Sequence, residues 1–79
     1  MEALTLRNAA EGNYCKIKSV ELGKLEKERL SDLGLVPGTV VKVLQKSPLG
    51  DPTCYFIRGS VIALRQEYTE KIKAEKTKT

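Results

Sequence analysis

Residues 29–43 read Arg29-Leu30-Ser31-Asp32-Leu33-Gly34-Leu35-Val36-Pro37-Gly38-Thr39-Val40-Val41-Lys42-Val43. Gly34 follows the last apolar residue of a helical pattern, where a glycine can take the left-handed conformation that ends a helix. Pro37 and Gly38 then occupy the two central positions of a type II turn, which require a fixed negative φ and a positive φ. The alternating β-branched residues that follow predict a strand. This stretch therefore predicts a helix that two backbone corners direct into a strand.

The helix is predicted over residues 24–33, because leucines recur along it while charged side chains that favour helices cover the other side. We expect Leu30 and Leu33 to face the core, together with Leu25. Leu35 follows the glycine that ends the helix, a position where an apolar residue often folds back on the last turn. We therefore expect Leu35 to contact Leu30.

Alternating apolar residues predict about five strands. They cover residues 14–20, 39–45, 53–58, 60–64 and 71–74. Gly50, Asp51 and Pro52 mark the loop of a hairpin, in which we expect Asp51 to bond backbone amides of the turn. Gly59 marks a bulge or tight bend between the third and fourth strands. Residues 4–12 are predicted to form an irregular start. The pattern indicates a mainly β fold, a small and partly open barrel with one short helix between its first and second main strands.

The composition fits one small domain. The chain has 79 residues, of which 41% are hydrophobic and 30% charged, the balance of an ordinary globular protein. No apolar run approaches the roughly 20 residues that cross a bilayer, so we expect a cytoplasmic protein that does not span the membrane. The net charge of +4 owes much to lysines near the C-terminus. We predict a single domain over residues 1–74 and a disordered basic tail over residues 75–79.

Groups that could perform catalysis are scarce. The sequence has no histidine, which removes the commonest general base and metal ligand. It also has no phosphate-binding loop and no dinucleotide fingerprint. We therefore predict that the protein is not an enzyme and has neither a cofactor site nor a small-molecule substrate. Cys15 and Cys54 are weak candidates for a metal-binding pair across the barrel, and a role as small apolar residues is favoured for both.

Two ordered segments resemble the FeoA family, small proteins of bacterial ferrous iron uptake. They are Arg29-Leu30-x-x-Leu33-Gly34-Leu35-x-Pro37-Gly38 and Arg58-Gly59-x-x-Ile62-Ala63-Leu64-Arg65, with Gly50-Asp51-Pro52 between them. The resemblance covers residues 4–74 and implies an SH3-like barrel. It also implies a cytosolic accessory of FeoB, the membrane ferrous iron transporter with a GTP-binding domain. Ferrous iron is implied by this pathway alone, since no ligand cluster accompanies it.

The resemblance, together with the lack of catalytic groups, predicts a protein-interaction module. We expect it to dock on the transporter through its loops and one open sheet edge, and to alter the transport or GTPase cycle. The candidate contact residues are Lys42, Leu49, Arg58 and Tyr68. Tyr68 departs from the family pattern, which commonly places an alanine in the next helical turn after Leu64-Arg65, and an exposed tyrosine is a favoured interface anchor.

Two alternative functions remain open. SH3-like domains of nucleic-acid-binding proteins use a glycine-centred turn followed by a basic strand, and residues 37–43 have a passing likeness to such a loop. Nucleic acid is nevertheless an unlikely partner, because stacking platforms need exposed aromatic residues beside basic ones. The other alternative is a metal-responsive regulatory domain like that of iron-dependent repressors, although no helix-turn-helix precedes it here.

Overall fold

The computed structural model describes residues 3–78, which form six strands, two α-helices and a short 3₁₀ helix. In chain order these are β1 (Ala3–Thr5), the 3₁₀ helix (Leu6–Asn8), β2 (Tyr14–Val20), α1 (Lys24–Asp32), β3 (Val40–Lys46), β4 (Thr53–Ile57), β5 (Ser60–Leu64), α2 (Gln66–Thr69) and β6 (Ile72–Thr77). The mainly β fold with one helix between the first two long strands is confirmed.

All the strands belong to one antiparallel sheet in the order β1-β6-β2-β3-β4-β5. The last strand of the chain lies between the first two, while β1 and β5 form the two edges and do not pair with each other. The barrel is therefore partly open, as predicted. The prediction of an irregular start was wrong, because β1 pairs with β6 in the register Leu4↔Ala74. A three-residue strand is too short to show alternation, so its partner defines it.

The core lies on the inner face of this curved sheet, where alternate residues of each long strand are buried. Its members are Leu6, Ala9, Cys15, Ile17, Val20, Leu30, Leu35, Val41, Val43, Tyr55, Ile57, Leu64, Ile72 and Ala74. The 3₁₀ helix contributes Leu6, which is fully buried. The Tyr55 hydroxyl donates a hydrogen bond of 3.4 Å to the Leu6 carbonyl oxygen, so the start of the chain is fixed to the sheet at this point.

The end of α1 follows the sequence prediction closely. The φ angle of Gly34 is +98°, its N–H donates to the Ser31 carbonyl at 2.9 Å, and the Leu35 N–H donates to the Leu30 carbonyl at 2.9 Å. These two bonds define a Schellman motif, which satisfies carbonyl groups that the helix end leaves without partners. Leu35 is buried beside Leu30 in the core, as expected. The type II turn is also confirmed, with a Gly38 φ of +96°.

The predicted inward positions of Leu33 and Leu25 were wrong. Leu33 is 44% exposed and Leu25 is 58% exposed, whereas Leu30 is 6% exposed. A helix turns by about 100° per residue, so Leu25 lies about 140° around the axis from Leu30. Leu33 is the last residue before the glycine corner, and Leu35 is buried in the core beyond it. The helix therefore contacts the core chiefly through Leu30.

The C-terminal boundary also lies further along the chain than predicted. Strand β6 continues to Thr77 and pairs with β2 in the register Tyr14↔Thr77 and Lys16↔Glu75. Residues 75–77 are thus part of the sheet, and the predicted disordered tail was wrong for them. The sequence pattern did not indicate this part of the strand, because its side chains are polar and do not alternate with apolar ones. The hydrogen bonds of a ladder use the backbone and do not require such alternation. Lys78 follows the strand, and Thr79 lies outside the described residues.

The loop between β3 and β4 links two distant parts of the chain. The Gly50 N–H donates to the Ser47 carbonyl at 2.8 Å, and the Ser47 N–H donates to the Pro52 carbonyl at 3.1 Å. Asp51 accepts a bond of 2.8 Å from the N–H of Gln66, the first residue of α2, rather than from an amide of its own turn. The carboxylate therefore satisfies one of the free N–H groups at that helix start.

The different burial of two leucines of the same segment predicts unequal effects of truncation. Leu30→Ala should lower the free energy of unfolding by about 2–5 kcal/mol, because it empties a core position. Leu33→Ala should cost about 1 kcal/mol or less, because much of that side chain already contacts water. Urea and thermal unfolding of the two variants test this, and equal losses would contradict the position of the helix.

A second pair of variants tests the glycine corner. An added Cβ at Gly34 would lie 2.9 Å from Arg58 Cδ and 3.3 Å from Ile57 Cγ2, whereas one at Gly38 would meet nothing within 4 Å. Both glycines have a positive φ, which costs an L-residue about 1–2 kcal/mol. Gly34→Ala should therefore destabilise the fold more than Gly38→Ala, as measured by urea unfolding. The close approach would be disproved if the two substitutions had the same cost.

Candidate protein-interaction groove

A groove separates α1 from β5, the strand at one open edge of the sheet. At one end of it lies a cleft of about 360 Å³. Arg29 and Leu30 of α1 line one side of this cleft, and Ala63, Arg65 and Tyr68 line the other. At the other end it forms a cleft of about 320 Å³. That cleft is lined by Asp32, Leu33, Gly34, Ile57, Arg58, Ser60 and Ile62. We call the two clefts together the α1–β5 groove.

The groove owes its shape to a close contact at one end. Gly34 is buried, and the Cδ atom of Arg58 lies 2.9 Å from the position that a Cβ would take there. Arg58 and Gly59 form a two-residue loop between β4 and β5, with φ angles of 48° and 84°. Two successive positive φ angles are typical of the type I′ turn, whose twist suits a tight hairpin. The bend predicted at Gly59 is confirmed. The turn places Arg58, just before β5, in contact with Gly34 at the end of α1.

The free edge of β5 presents backbone groups to this groove. In a hairpin with a two-residue loop, the residues that flank the loop exchange both hydrogen bonds, so Ser60 is bonded to Ile57 across the ladder. Ile62 then also faces β4 with its backbone, whereas the N–H and C=O groups of Val61 and Ala63 point away from it. No strand within residues 3–78 pairs with this edge.

The charges around the groove are mostly positive. Arg29, Arg58 and Arg65 are exposed, and Glu26 and Asp32 are the acidic residues that line the clefts. The salt bridges found between described residues pair other groups. They are Arg7 with Glu70, Lys18 with Glu75, and Lys73 with Glu21. The three arginines therefore keep their charge available for a ligand with carboxylates.

A larger cleft, of about 530 Å³, lies at the opposite edge of the sheet, where β2 has an irregular register with β6. Leu4 and Ala74 line it, together with Lys18, Lys73 and Glu75. Lys18 forms a salt bridge with Glu75, and Lys73 with Glu21, which lies outside the cleft. The lysines of this cleft already have acidic partners, so they are less available to bind a charged ligand. We therefore regard the α1–β5 groove as the better candidate for a binding site.

The candidate contact residues do not form one site. Arg58 and Tyr68 line the α1–β5 groove, at opposite ends of it. Leu49 is 94% exposed at the loop between β3 and β4. Lys42 lies on the outer face of the sheet, with its Nζ atom 5.4 Å from the centre of the Tyr14 ring, a cation–π contact. Whether any of them contacts a partner stays a prediction.

The outer face carries a row of side chains of which only Lys42 was a predicted contact residue. The pairs Tyr14↔Lys42, Lys42↔Phe56 and Phe56↔Val61 are cross-strand neighbours, so the row runs from β2 to β5. Phe56 is 44% exposed and Val61 is 63% exposed. The signal for Val61 was present in the sequence, since residues 60–64 contain no charged side chain even though alternate residues must face outward.

The structure does not bring the two cysteines together. Cys15 points into the core from β2, whereas Cys54 lies between the inward residues Thr53 and Tyr55 and therefore faces outward. Burial raises the pKa of the Cys15 thiol, which keeps it in the protonated form that metals do not bind. Within residues 3–78, no three side chains of the histidine, cysteine, aspartate or glutamate type are grouped closely enough to hold a metal ion.

Burial also raises the pKa of Tyr55 to about 12, so this phenol is neutral at physiological pH. Both perturbed groups are thus held in their uncharged form, which is the opposite of an activated nucleophile or base. The helices of the described part of the chain are too short or too polar to cross a membrane. What the geometry offers is a binding surface.

Comparison with known proteins adds an independent finding. A family model described as the FeoA domain matches residues 4–76. The chain is 34% identical over 64 residues to a fusion of Fe(2+) transport protein A with Fe(2+) transporter FeoB from Porphyromonas gingivalis; this match covers 81% of the chain and 8% of the fusion protein.

Solved structures agree with this match. The FeoA protein of Chlorobium tepidum is 33% identical with a TM-score of 0.87, over 92% of this chain and 70% of that one. The FeoA of Stenotrophomonas maltophilia, solved with zinc, is 25% identical with a TM-score of 0.78, over 91% and 89% of the two chains. It is described as an SH3 domain protein and a candidate activating factor of bacterial ferrous iron transport. The expectation of an SH3-like fold is confirmed.

The opposite orientations of the cysteines predict unequal reactivity. Iodoacetamide at pH 8 should alkylate Cys54 in the folded protein about tenfold or more faster than Cys15, because the reagent attacks an accessible thiolate. Peptide mapping by mass spectrometry distinguishes the two sites. Both thiols should react at similar rates in denaturant, which serves as the control. Fast labelling of Cys15 in the folded state would contradict its burial.

Proposed function

The chain belongs to the FeoA family, and on this basis we propose that it is a cytosolic accessory protein of bacterial ferrous iron uptake. In this proposal it binds a FeoB-type membrane transporter through the α1–β5 groove and modulates its transport or GTPase cycle. Ferrous iron is the cargo of the transporter, and this chain acts on the transporter rather than on the ion. The match with this chain covers 8% of the fusion relative. In this proposal, transport and GTP hydrolysis therefore belong to the partner.

The observation that carries the proposal is the fusion of a FeoA and a FeoB part in one relative of this chain. Joining two domains in one polypeptide gives each a high effective concentration at the other, which suits partners that act together. Where the two parts are on separate chains, the same association has to rest on a non-covalent surface.

The structure of this chain supports such a role for the groove. Two of the candidate contact residues, Arg58 and Tyr68, line it, and its three exposed arginines have no salt-bridge partner among residues 3–78. Arginine and tyrosine are enriched at the centres of protein interfaces. The lack of an activated nucleophile or a grouped ligand set in the described part of the chain is in keeping with an accessory rather than a catalytic role.

Binding to the transporter tests the proposal directly. The full chain should bind a full-length FeoB-type transporter in lipid nanodiscs, saturably and at one chain per transporter protomer, in a calorimetric titration. Empty nanodiscs are the control. Saturating amounts of the chain should also change the rate of GTP hydrolysis by the transporter, and a comparison with GTP, GDP and no nucleotide would show which state is recognised.

Two outcomes would overturn the proposal. No binding in any nucleotide state would remove the accessory role. Retention of the chain on RNA or DNA at moderate salt, with no binding to the transporter, would instead support the nucleic-acid alternative, in which the row of Tyr14, Lys42 and Phe56 would be the surface to substitute.

A further inference from the structure

The two edges of the sheet differ in how well they are protected against another strand. Natural proteins blunt an exposed edge with a short strand, charged residues, prolines or bulges. Strand β1 has three residues and continues directly into the 3₁₀ helix. Strand β5 has five residues, Ser60-Val61-Ile62-Ala63-Leu64, with neither a charge nor a proline among them. Strand β5 itself therefore has no charged residue, proline or bulge to protect it, and α1 is the element that lies alongside its free edge.

The register of β5 is also regular along its whole length. Its ladder with β4 runs without interruption from Ile57↔Ser60 to Thr53↔Leu64. By contrast, the ladders between β2 and β6 and between β3 and β4 each contain a shift of register. A regular strand offers its free N–H and C=O groups at the spacing that an added strand requires. Those groups belong to Val61 and Ala63.

The space beside this edge has the dimensions of a binding site. The clefts of about 360 Å³ and 320 Å³ lie one after the other along β5, with α1 as the opposite wall. Each is as large as the smaller pockets that hold ligands. Leu30 and Leu64 provide an apolar surface in one cleft, and Leu33 and Ile62 in the other. An extended segment could therefore place alternate apolar side chains in the two clefts.

The charges decide which segment fits. Arg29 and Arg65 line one cleft with a single acidic residue, Glu26, whereas Arg58 and Asp32 balance each other in the second. A carboxylate would therefore be favoured beside Arg29 and Arg65, next to Tyr68. Arginine binds carboxylates through paired hydrogen bonds, which gives the site an orientation as well as affinity.

We propose that the α1–β5 groove receives an extended, acidic segment of the partner protein, which adds to the free edge of β5 as a further strand of the sheet. Backbone bonds to Val61 and Ala63 hold it, and a carboxylate of the segment binds Arg29 and Arg65. The inference rests on the proposed function, because it names the kind of segment by which the transporter would be bound.

A second copy of this chain is a less suitable occupant. If two β5 strands paired in an antiparallel arrangement, Arg58 at the start of one would lie near Arg65 at the end of the other. Like charges placed in this way across a pair of strands are destabilising. A monomer in solution at micromolar concentration is therefore expected by light scattering, and a dimer that Ala63→Pro dissociates would overturn the assignment of the occupant.

Substitutions at Ala63 distinguish the contribution of its backbone N–H to binding from that of its side chain. Ala63→Pro removes the N–H that points to the groove without removing a ladder bond, and Ala63→Ser is the matched control that keeps it. Ala63→Pro should weaken binding to the transporter in nanodiscs by about tenfold or more, and Ala63→Ser by less than about twofold. Thermal unfolding of both variants checks that the fold is intact.

Charge reversal gives a second test that leaves the backbone unchanged. Arg29→Glu should weaken binding by about tenfold, whereas Lys78→Glu, an equal charge change beyond the end of β6 and outside the groove, should change it by less than about twofold. Amide hydrogen exchange of the ¹⁵N-labelled chain should show new protection at Val61 and Ala63 on binding. If the wild-type chain binds but these variants and amides are unaffected, the groove is not the site, and only the accessory role on the transporter stands.

A transporter that does not bind would overturn the proposed function, and the groove is then tested with a phage-displayed library of 12-residue peptides. Selection on the wild-type chain should enrich peptides with alternating apolar residues and at least one aspartate or glutamate, and Ala63→Pro should abolish their capture. The absence of such enrichment, or equal capture by Ala63→Pro, would overturn the inference.

Discussion

The contact between the end of α1 and the turn from β4 to β5 is the constraint on which the shape of this protein depends. Gly34 allows it in two ways, since the residue has a positive φ and leaves room for the Arg58 side chain. The bonds of the Schellman motif then turn the chain so that Leu35 enters the core beside Leu30. Because the helix is fixed at this end, it lies alongside β5, and the space between them becomes a groove rather than an ordinary surface.

The open barrel follows from the order of the strands. The two edge strands of the sheet, β1 and β5, do not pair with each other. One edge is short and carries the fixed 3₁₀ helix, and the other is longer, regular and uncharged. The core does not require closure of the barrel, because it is formed by the inner faces of β2 to β6 together with the 3₁₀ helix, α1 and Leu35. The unpaired edge is thereby available for function.

The chemistry of the described residues is suited to binding. Both residues whose pKa is clearly raised, Cys15 and Tyr55, are buried and held neutral, so they support the core. Arg29, Arg58 and Arg65, which are among the charged groups outside the salt bridges of the described residues, line the groove. In a member of the FeoA family this separation of an inert core from a charged edge is consistent with an accessory that contacts a larger partner. In the proposed function, binding depends on the geometry of backbone and arginine groups.

Much of the fold could be predicted from the sequence, because its signals are local. The cap at Gly34, the turn at Gly38 and the alternation of the long strands each depend on residues that are adjacent in the chain, and all were found in the structure. The exposure of Leu33, the pairing of β1 and the extension of β6 to Thr77 were missed, because packing between distant elements decides them. The groove has the same origin, since residues 26–34 and 58–68 become neighbours through the tertiary structure, which sequence periodicity does not encode.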